Sequence, residues 1–244
     1  SGYPVQARQR IDDALYLADD LPHPYIMSFA RHYAGLVYSW CGQAQATLEQ
    51  AEAEFALGTE HSFPAWQAMG TLNRGVALTE LGRHKEGLKQ LQEGIAGWRA
   101  TGATLGLPMY LGWLADVSAR TRHTADAQAA LTEALTLAHT AGERSYEAEL
   151  YRLKGKLLQI ADGGSQMAEC TPEACFHQAL SIARQQQAKS LELRAATSLS
   201  RLRQQQDKRQ DAYDLLAPVY GWFTEGFDTA DLREAKTLLD TLAG

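Results

Sequence analysis

The feature that most constrains this chain is a register of small residues that returns every 40 positions. Gly35, Gly75, Ala115 and Gly155 stand 40 apart, and Ser200 follows after 45. A second series, Ala7, Thr47, Gly87, Ala127, Pro172 and Ala212, keeps the same steps and slips at the same place. Two segments starting 45 residues apart, Arg144-Ser145-Tyr146-Glu147 and Lys189-Ser190-Leu191-Glu192, share an order of basic residue, serine, apolar residue and glutamate. Each is followed by an amphipathic helix, a polar break and a second helix. A helix pair of this size cannot bury its apolar face alone, so successive pairs must stack, which gives an all-α solenoid read as one domain over 1–244.

Apolar residues at helical spacing predict helices over 3–20, 25–41, 44–58, from Phe63-Pro64 to Leu81, 84–100, 105–121, 124–140, 144–161, 172–187, 189–205, 209–223 and 229–242. Pro64 and Pro108 suit a first turn, where a missing N–H costs nothing. Gly42, Gly82, Gly102 and Gly142 separate helices, and Gly87, Gly94 and Gly97 inside one helix imply close approach of a neighbour. The five extra residues fall in Asp162-Gly163-Gly164-Ser165-Gln166-Met167, read as a lengthened loop. Pro218 is expected to kink its helix. Asp228 or Thr229 caps the last helix, with Leu232, Ala235, Leu238, Leu239 and Leu242 inward and Asp231, Arg233, Lys236 and Asp240 outward, as a closing helix requires. The first helix is in register as the second member of a pair, so a bare face and a longer parent protein are expected.

The charge of −6 argues against a general nucleic-acid binder. The run 184–209 is locally basic, with Arg184, Lys189, Arg194, Arg201, Arg203, Lys208 and Arg209 against Glu192 and Asp207, but no aromatics interleave. No uninterrupted apolar run is long enough for a membrane span, and the start lacks a secretory pattern. Three cysteines without framework spacing favour reduced thiols in the cytoplasm. Asp162-Gly163-Gly164-Ser165 lacks the lysine of a phosphate loop, and Cys170, Cys175 and His177 match no zinc spacing. No cofactor, metal or catalytic residue is expected, and Cys175 reads as a small buried residue.

Ala7-Ile11-Ala14 and Ala127-Leu131-Ala134, with the small-residue register, resemble tetratricopeptide repeats. The period exceeds the usual 34 residues by roughly one turn per helix, as in a long-repeat subclass at the C-terminus of large bacterial signalling ATPases. The segments 147–155 (EAELYRLKG) and 215–223 (LLAPVYGWF) are similar to repeat regions of proteins joining a class III adenylate/guanylate cyclase or a DNA-binding regulator to such an ATPase. The resemblance implies a right-handed superhelix of antiparallel helix pairs with a C-terminal capping helix, and a non-catalytic interaction or regulatory scaffold in bacterial signal transduction.

In such a solenoid the first helix of each pair lines the binding surface. Its expected residues are His32, Tyr33 and Leu36; Leu72, Asn73 and Val76; Trp113, Asp116 and Arg120; Arg152 and Lys156; and Arg194 and Arg201. This groove starts apolar and aromatic and ends basic, which suits a protein or peptide segment with an apolar anchor and an acidic end. The plainer reading is that Tyr33 and Trp113 are packing residues and the cations a solvated face paired with Glu149, Asp116 and Glu192. The partner is a protein or peptide, or another module of the parent chain. A small-molecule effector domain and a self-associating homodimer are the alternatives.

Overall fold

The computed structural model describes residues 2–21, 23–160 and 170–244. The stretch 162–167, expected to absorb the extra length, lies outside the described residues, as does Pro22 of the first break. Every described secondary-structure element is a helix. The helices gather into two compact units, Val5–His123 and Thr124–Gly244, the latter joined by the N-terminus up to Pro4.

The N-terminal unit holds α1 (Pro4–Asp20, apart from Pro4 itself), α2 (Pro24–Trp40), α3 (Ala44–Glu60), α4 (Pro64–Glu80), α5 (His84–Ala100) and α6 (Leu107–Arg120). The C-terminal unit holds α7 (Thr124–Thr140), α8 (Glu147–Ile160), α9 (Pro172–Gln185), α10 (Lys189–Gln205), α11 (Arg209–Tyr220) and α12 (Ala230–Ala243). In both, sequence neighbours pack on one another: α2 on α3, α4 on α5 and α10 on α11 across short turns, and α8 on α9.

The turns repeat one device. Gly42 is left-handed at φ 74°, its N–H donates to Ser39 O at 2.8 Å, and the next N–H, on Gln43, donates to Tyr38 O at 2.8 Å. These bonds satisfy the carbonyls a helix end leaves open. Left-handed residues recur at Ser62, Gly82, Gly102, Arg122 and Gly142, twenty apart, then at Gln187 and Asp207. Phe63 N–H to Gly58 O and Ala188 N–H to Ala183 O, both 2.8 Å, repeat the second bond. The structural unit is therefore one helix plus one turn, and three of these eight turns use Ser62, Arg122 or Gln187, residue types with no marked preference for that conformation.

Where the register series meet, helices come close. A Cβ added at Gly87 would lie 2.7 Å from Gly75 O, so α4 and α5 are in backbone contact at that point. Thr47 Oγ1 donates to Gly35 O at 3.4 Å, and Ser200 Oγ to Ala212 O at 2.9 Å, so the same crossing recurs with a hydroxyl in place of one glycine. Pro172 departs from its series: it is only partly buried and starts α9, while Cys175 and Phe176 behind it are fully buried. Gly155 makes room for Phe176, whose ring a Cβ there would meet at 2.5 Å. A buried ring of that size contributes roughly 1.5–3 kcal/mol of hydrophobic stabilisation.

The remaining differences are local. The expected stripe of α1 is only half buried, with Ala18 alone fully inside and Tyr16 and Leu17 exposed. Helix α8 starts at Glu147 rather than 144. Helix α11 ends at Tyr220, just beyond Pro218, short of the predicted 223. Thr229 occupies the cap position of α12, but its hydroxyl donates to Gly226 O at 2.7 Å instead of capping. The five apolar residues of α12 are buried as expected.

Candidate interaction surface

In the N-terminal unit, α2 places Tyr25, Phe29 and Tyr33 at four-residue steps, hence on one face. They are 51%, 50% and 44% exposed. Phe29 and Tyr33 lie 4.7 Å apart between ring centroids, and Tyr25 meets the buried Trp66 of α4 edge-on at 5.2 Å. Trp66 Nε1 has no hydrogen-bond partner among the described residues. Tyr33 is thus exposed, within an aromatic stripe of which the sequence reading names only that one residue.

His32, Leu36, Leu72, Asn73 and Val76 are not on that surface; all five are buried. The correction has a simple cause. One residue along a helix turns the side chain by about 100°, so neighbours of an outward position fall into the contact with the next helix. His32 and Asn73 meet there over Glu54 of α3, which is fully buried. Asn73 Nδ2 donates to Glu54 Oε2 at 3.2 Å and to His32 O at 3.3 Å. Glu54 Oε1 lies 3.2 Å from His32 Nδ1 without forming a hydrogen bond to it. Burial pushes the Glu54 carboxyl up, against smaller opposing effects of His32 and Asn73. A proton on Oε1 would turn the 3.2 Å approach into an O–H···N bond. On α6, Trp113 is half-buried with its ring 5.4 Å from Tyr110, while Arg120 and Asp116 form an i,i+4 pair at 2.5 Å.

In the C-terminal unit the basic positions meet a buried carboxylate. Glu149 accepts from Arg152 Nη2 at 2.6 Å and from Arg152 Nε at 2.8 Å, and Arg194 Nη1 of α10 stands 3.1 Å away. Burial alone would raise the Glu149 carboxyl, but the Arg152 and Arg194 charges outweigh it and hold it at about 2. Arg152 is itself buried, another correction to the expected groove. Arg194 also reaches Asp231 of α12 at 3.7 Å, so Asp231 faces this network rather than outward. Burial raises the Asp231 carboxyl, opposed by Arg194. Lys156 is exposed, and Arg201, 53% exposed, pairs with Glu234 at 2.8 Å. Arg184 and Lys189 both bind Glu192, at 2.9 and 2.8 Å, which leaves no open basic stripe along 184–194 for a phosphate backbone.

The same unit contains a cavity of about 280 Å³ between α7 and α8. Leu131, Leu135, Leu157 and Leu158 form its apolar walls, and Tyr151 and Lys154 reach it from α8. Lys154 makes no ion pair within 4 Å among the described residues. Burial, then the Glu147 charge, raise the Tyr151 phenol. Sequence reasoning missed this cavity because its walls come from two helices of different pairs. His177, 52% exposed, approaches Glu173 at 3.9 Å, and among the described residues no three metal-ligating side chains gather. No helix among them is long and apolar enough to cross a membrane.

No protein-family model matches the sequence, and no curated protein matches it. Among solved structures, the apo form of RapI is similar with a TM-score of 0.68 at 14% identity, over 97% of this chain and 79% of that one. A Podosopora anserina putative kinesin light chain with nearly identical TPR-like repeats gives a TM-score of 0.55 at 17% identity, over 82% of this chain and 96% of that one. A substituted variant of that light chain gives 0.56 at the same identity and coverage. At such identities the likeness is one of fold, and the fold is a tetratricopeptide-like helical solenoid.

Proposed function

We propose that this chain is a non-catalytic scaffold that binds a segment of a partner protein on the outward faces of its first-type helices. The observation that carries the reading is the exposed stripe Tyr25, Phe29 and Tyr33, backed by Trp66. Aromatic side chains standing in water on a rigid helix are the usual anchors of protein interfaces, contributing large contact area for little lost side-chain freedom. Of the residues first assigned to the surface, Tyr33, Trp113, Asp116, Arg120, Lys156, Arg194 and Arg201 remain accessible for this role. His32, Leu36, Asn73 and Arg152 support it from beneath.

Selection of displayed peptides against the full chain tests the reading. Selected peptides should lose at least about tenfold in affinity to Phe29→Ala/Tyr33→Ala, a substitution of two half-exposed residues. Undiminished binding by every selected peptide would overturn the assignment of this face. The setting of bacterial signal transduction, beside a cyclase- or regulator-linked ATPase, is supported by the sequence resemblance of 147–155 and 215–223.

The cavity between α7 and α8 favours a second reading, a small-molecule effector site. Its apolar walls and single ammonium, Lys154, fit a small organic anion with an apolar body. Carboxylates of this kind should raise the melting temperature of the chain and fail to do so in Lys154→Met; a ligand that binds only the folded form at a hundred times its Kd adds about 2.7 kcal/mol.

A further inference from the structure

Cys170 immediately precedes Thr171, whose hydroxyl accepts from Ala174 N–H at 3.1 Å to cap α9. Cys175 lies in the first turn of the same helix and is fully buried, while Cys170 is partly exposed. Both are free thiols, and their sulfurs are 2.8 Å apart, well inside the separation of two sulfurs in ordinary contact. The cap fixes the backbone where the chain enters α9, and so the places from which the two side chains start.

We propose that Cys170 and Cys175 are an oxidative modification site, forming a reversible disulfide by exchange with small-molecule disulfides. The partly exposed Cys170 is the point of entry. Its thiolate attacks one sulfur of glutathione disulfide, forming a mixed disulfide and releasing one glutathione thiolate. The Cys175 sulfur then attacks the Cys170 sulfur, breaking that bond and releasing the second glutathione. The two protons of the protein thiols pass to the two glutathione thiolates, so two thiols are oxidised and one disulfide is reduced. Burial first, then the bond with Cys170, push the Cys175 thiol up to about 12, which makes it a poor first attacker.

The test uses the full chain incubated with glutathione disulfide, alkylated and digested with trypsin. Cys170 and Cys175 fall in one peptide, 157–184, and Cys41 in another. Peptide 157–184 should lose two hydrogens and carry no alkyl group, dithiothreitol should restore both thiols, and Cys41 should be alkylated throughout. Cys175→Ser should trap glutathione on Cys170. In Cys170→Ser, whose changed residue lies outside the helix, Cys175 should stay fully alkylatable once the chain is denatured. Both thiols remaining free in the wild type, a lasting glutathione adduct on Cys170 with Cys175 still free, or a bridge to Cys41 or to a second chain would each overturn the proposal.

Discussion

Replacing Glu149 by glutamine should be among the most damaging single changes of one functional group in this chain. The carboxylate is fully buried and touches two guanidinium groups, Arg152 through both oxygens and Arg194 through one. A carboxyl brought from its ordinary 4.5 to about 2 binds its proton about 3 kcal/mol more weakly in the fold than in the unfolded chain. Glutamine keeps the shape, turns one acceptor into a donor aimed at a guanidinium, and removes the buried carboxylate charge that Arg152 meets at 2.6 Å, which costs about 3–5 kcal/mol. Urea unfolding followed by circular dichroism at pH 7 measures the difference. Because the folded value is depressed, the contribution is complete above the unfolded value near 4.5 and is lost as pH falls towards 2. The gap between wild type and Glu149→Gln should therefore be flat above about pH 6, then shrink by about 1 kcal/mol at about pH 4 and about 2 kcal/mol at about pH 3. Joint replacement of Glu149 and Arg152 by methionine should recover at least half the loss, since Arg194 keeps Asp231. A variant within about 1 kcal/mol of wild type at every pH would refute the reasoning.

Glu54 should behave in the opposite sense. Burial raises its carboxyl in the fold, so its ionisation costs stability as pH rises above the unfolded value, and Glu54→Gln, with a donor to offer His32, should change stability by less than about 1 kcal/mol at pH 7. Glu54→Ala should cost about 2 kcal/mol or more by opening a cavity; equal urea midpoints for the two variants would contradict this account. Gly87→Ala forces a methyl against the Thr79 hydroxyl and against backbone, Gly75 O and Thr79 N, which cannot rotate away, and should lower stability by about 1–3 kcal/mol in the same measurement. Self-association is checked by light scattering: a mass of 26.8 kDa at all concentrations would exclude the homodimer alternative.

Helix positions were legible in the sequence because apolar spacing and turn glycines agree at Gly42, Gly82, Gly102 and Gly142. The twenty-residue half-period was not, because Ser62, Arg122 and Gln187 make the same left-handed turn without a compositional mark. Their conformation goes with a pair of local hydrogen bonds back to the preceding helix end, such as Arg122 N–H to Ala119 O and His123 N–H to Ser118 O, made by the backbone whatever the side chain. The shift at α9 was hidden for a related reason. A spacing rule assumes that the same helical face turns inward each time, whereas Pro172 fixes where α9 begins and Phe176 fills the space left by Gly155.

The candidate surface was half legible, and the failures share a cause. Residue type names the chemistry of a position, but a step of one residue decides whether that chemistry meets water or the next helix. Tyr33 and His32 are adjacent in sequence, yet one is 44% exposed and the other 4%. The same holds for Arg152 and Lys156: four residues apart, both read as surface positions from their type and spacing, but Arg152 is drawn in by Glu149, itself anchored by Arg194 on α10. The pairing with Glu149 was legible in the sequence, but its burial was not, because a pattern reading places charges outward. Buried, it fixes where α8 meets α10, since sliding either helix by a turn would strand a charge in the core. In both units, then, a polar cluster lies beneath the accessible face: Glu54 with His32 and Asn73 under the aromatic stripe, Glu149 with Arg152 under Arg194. Within each unit the cluster fixes how its own helices meet: Glu54 ties α3 to α2 and α4, and Glu149 ties α8 to α10.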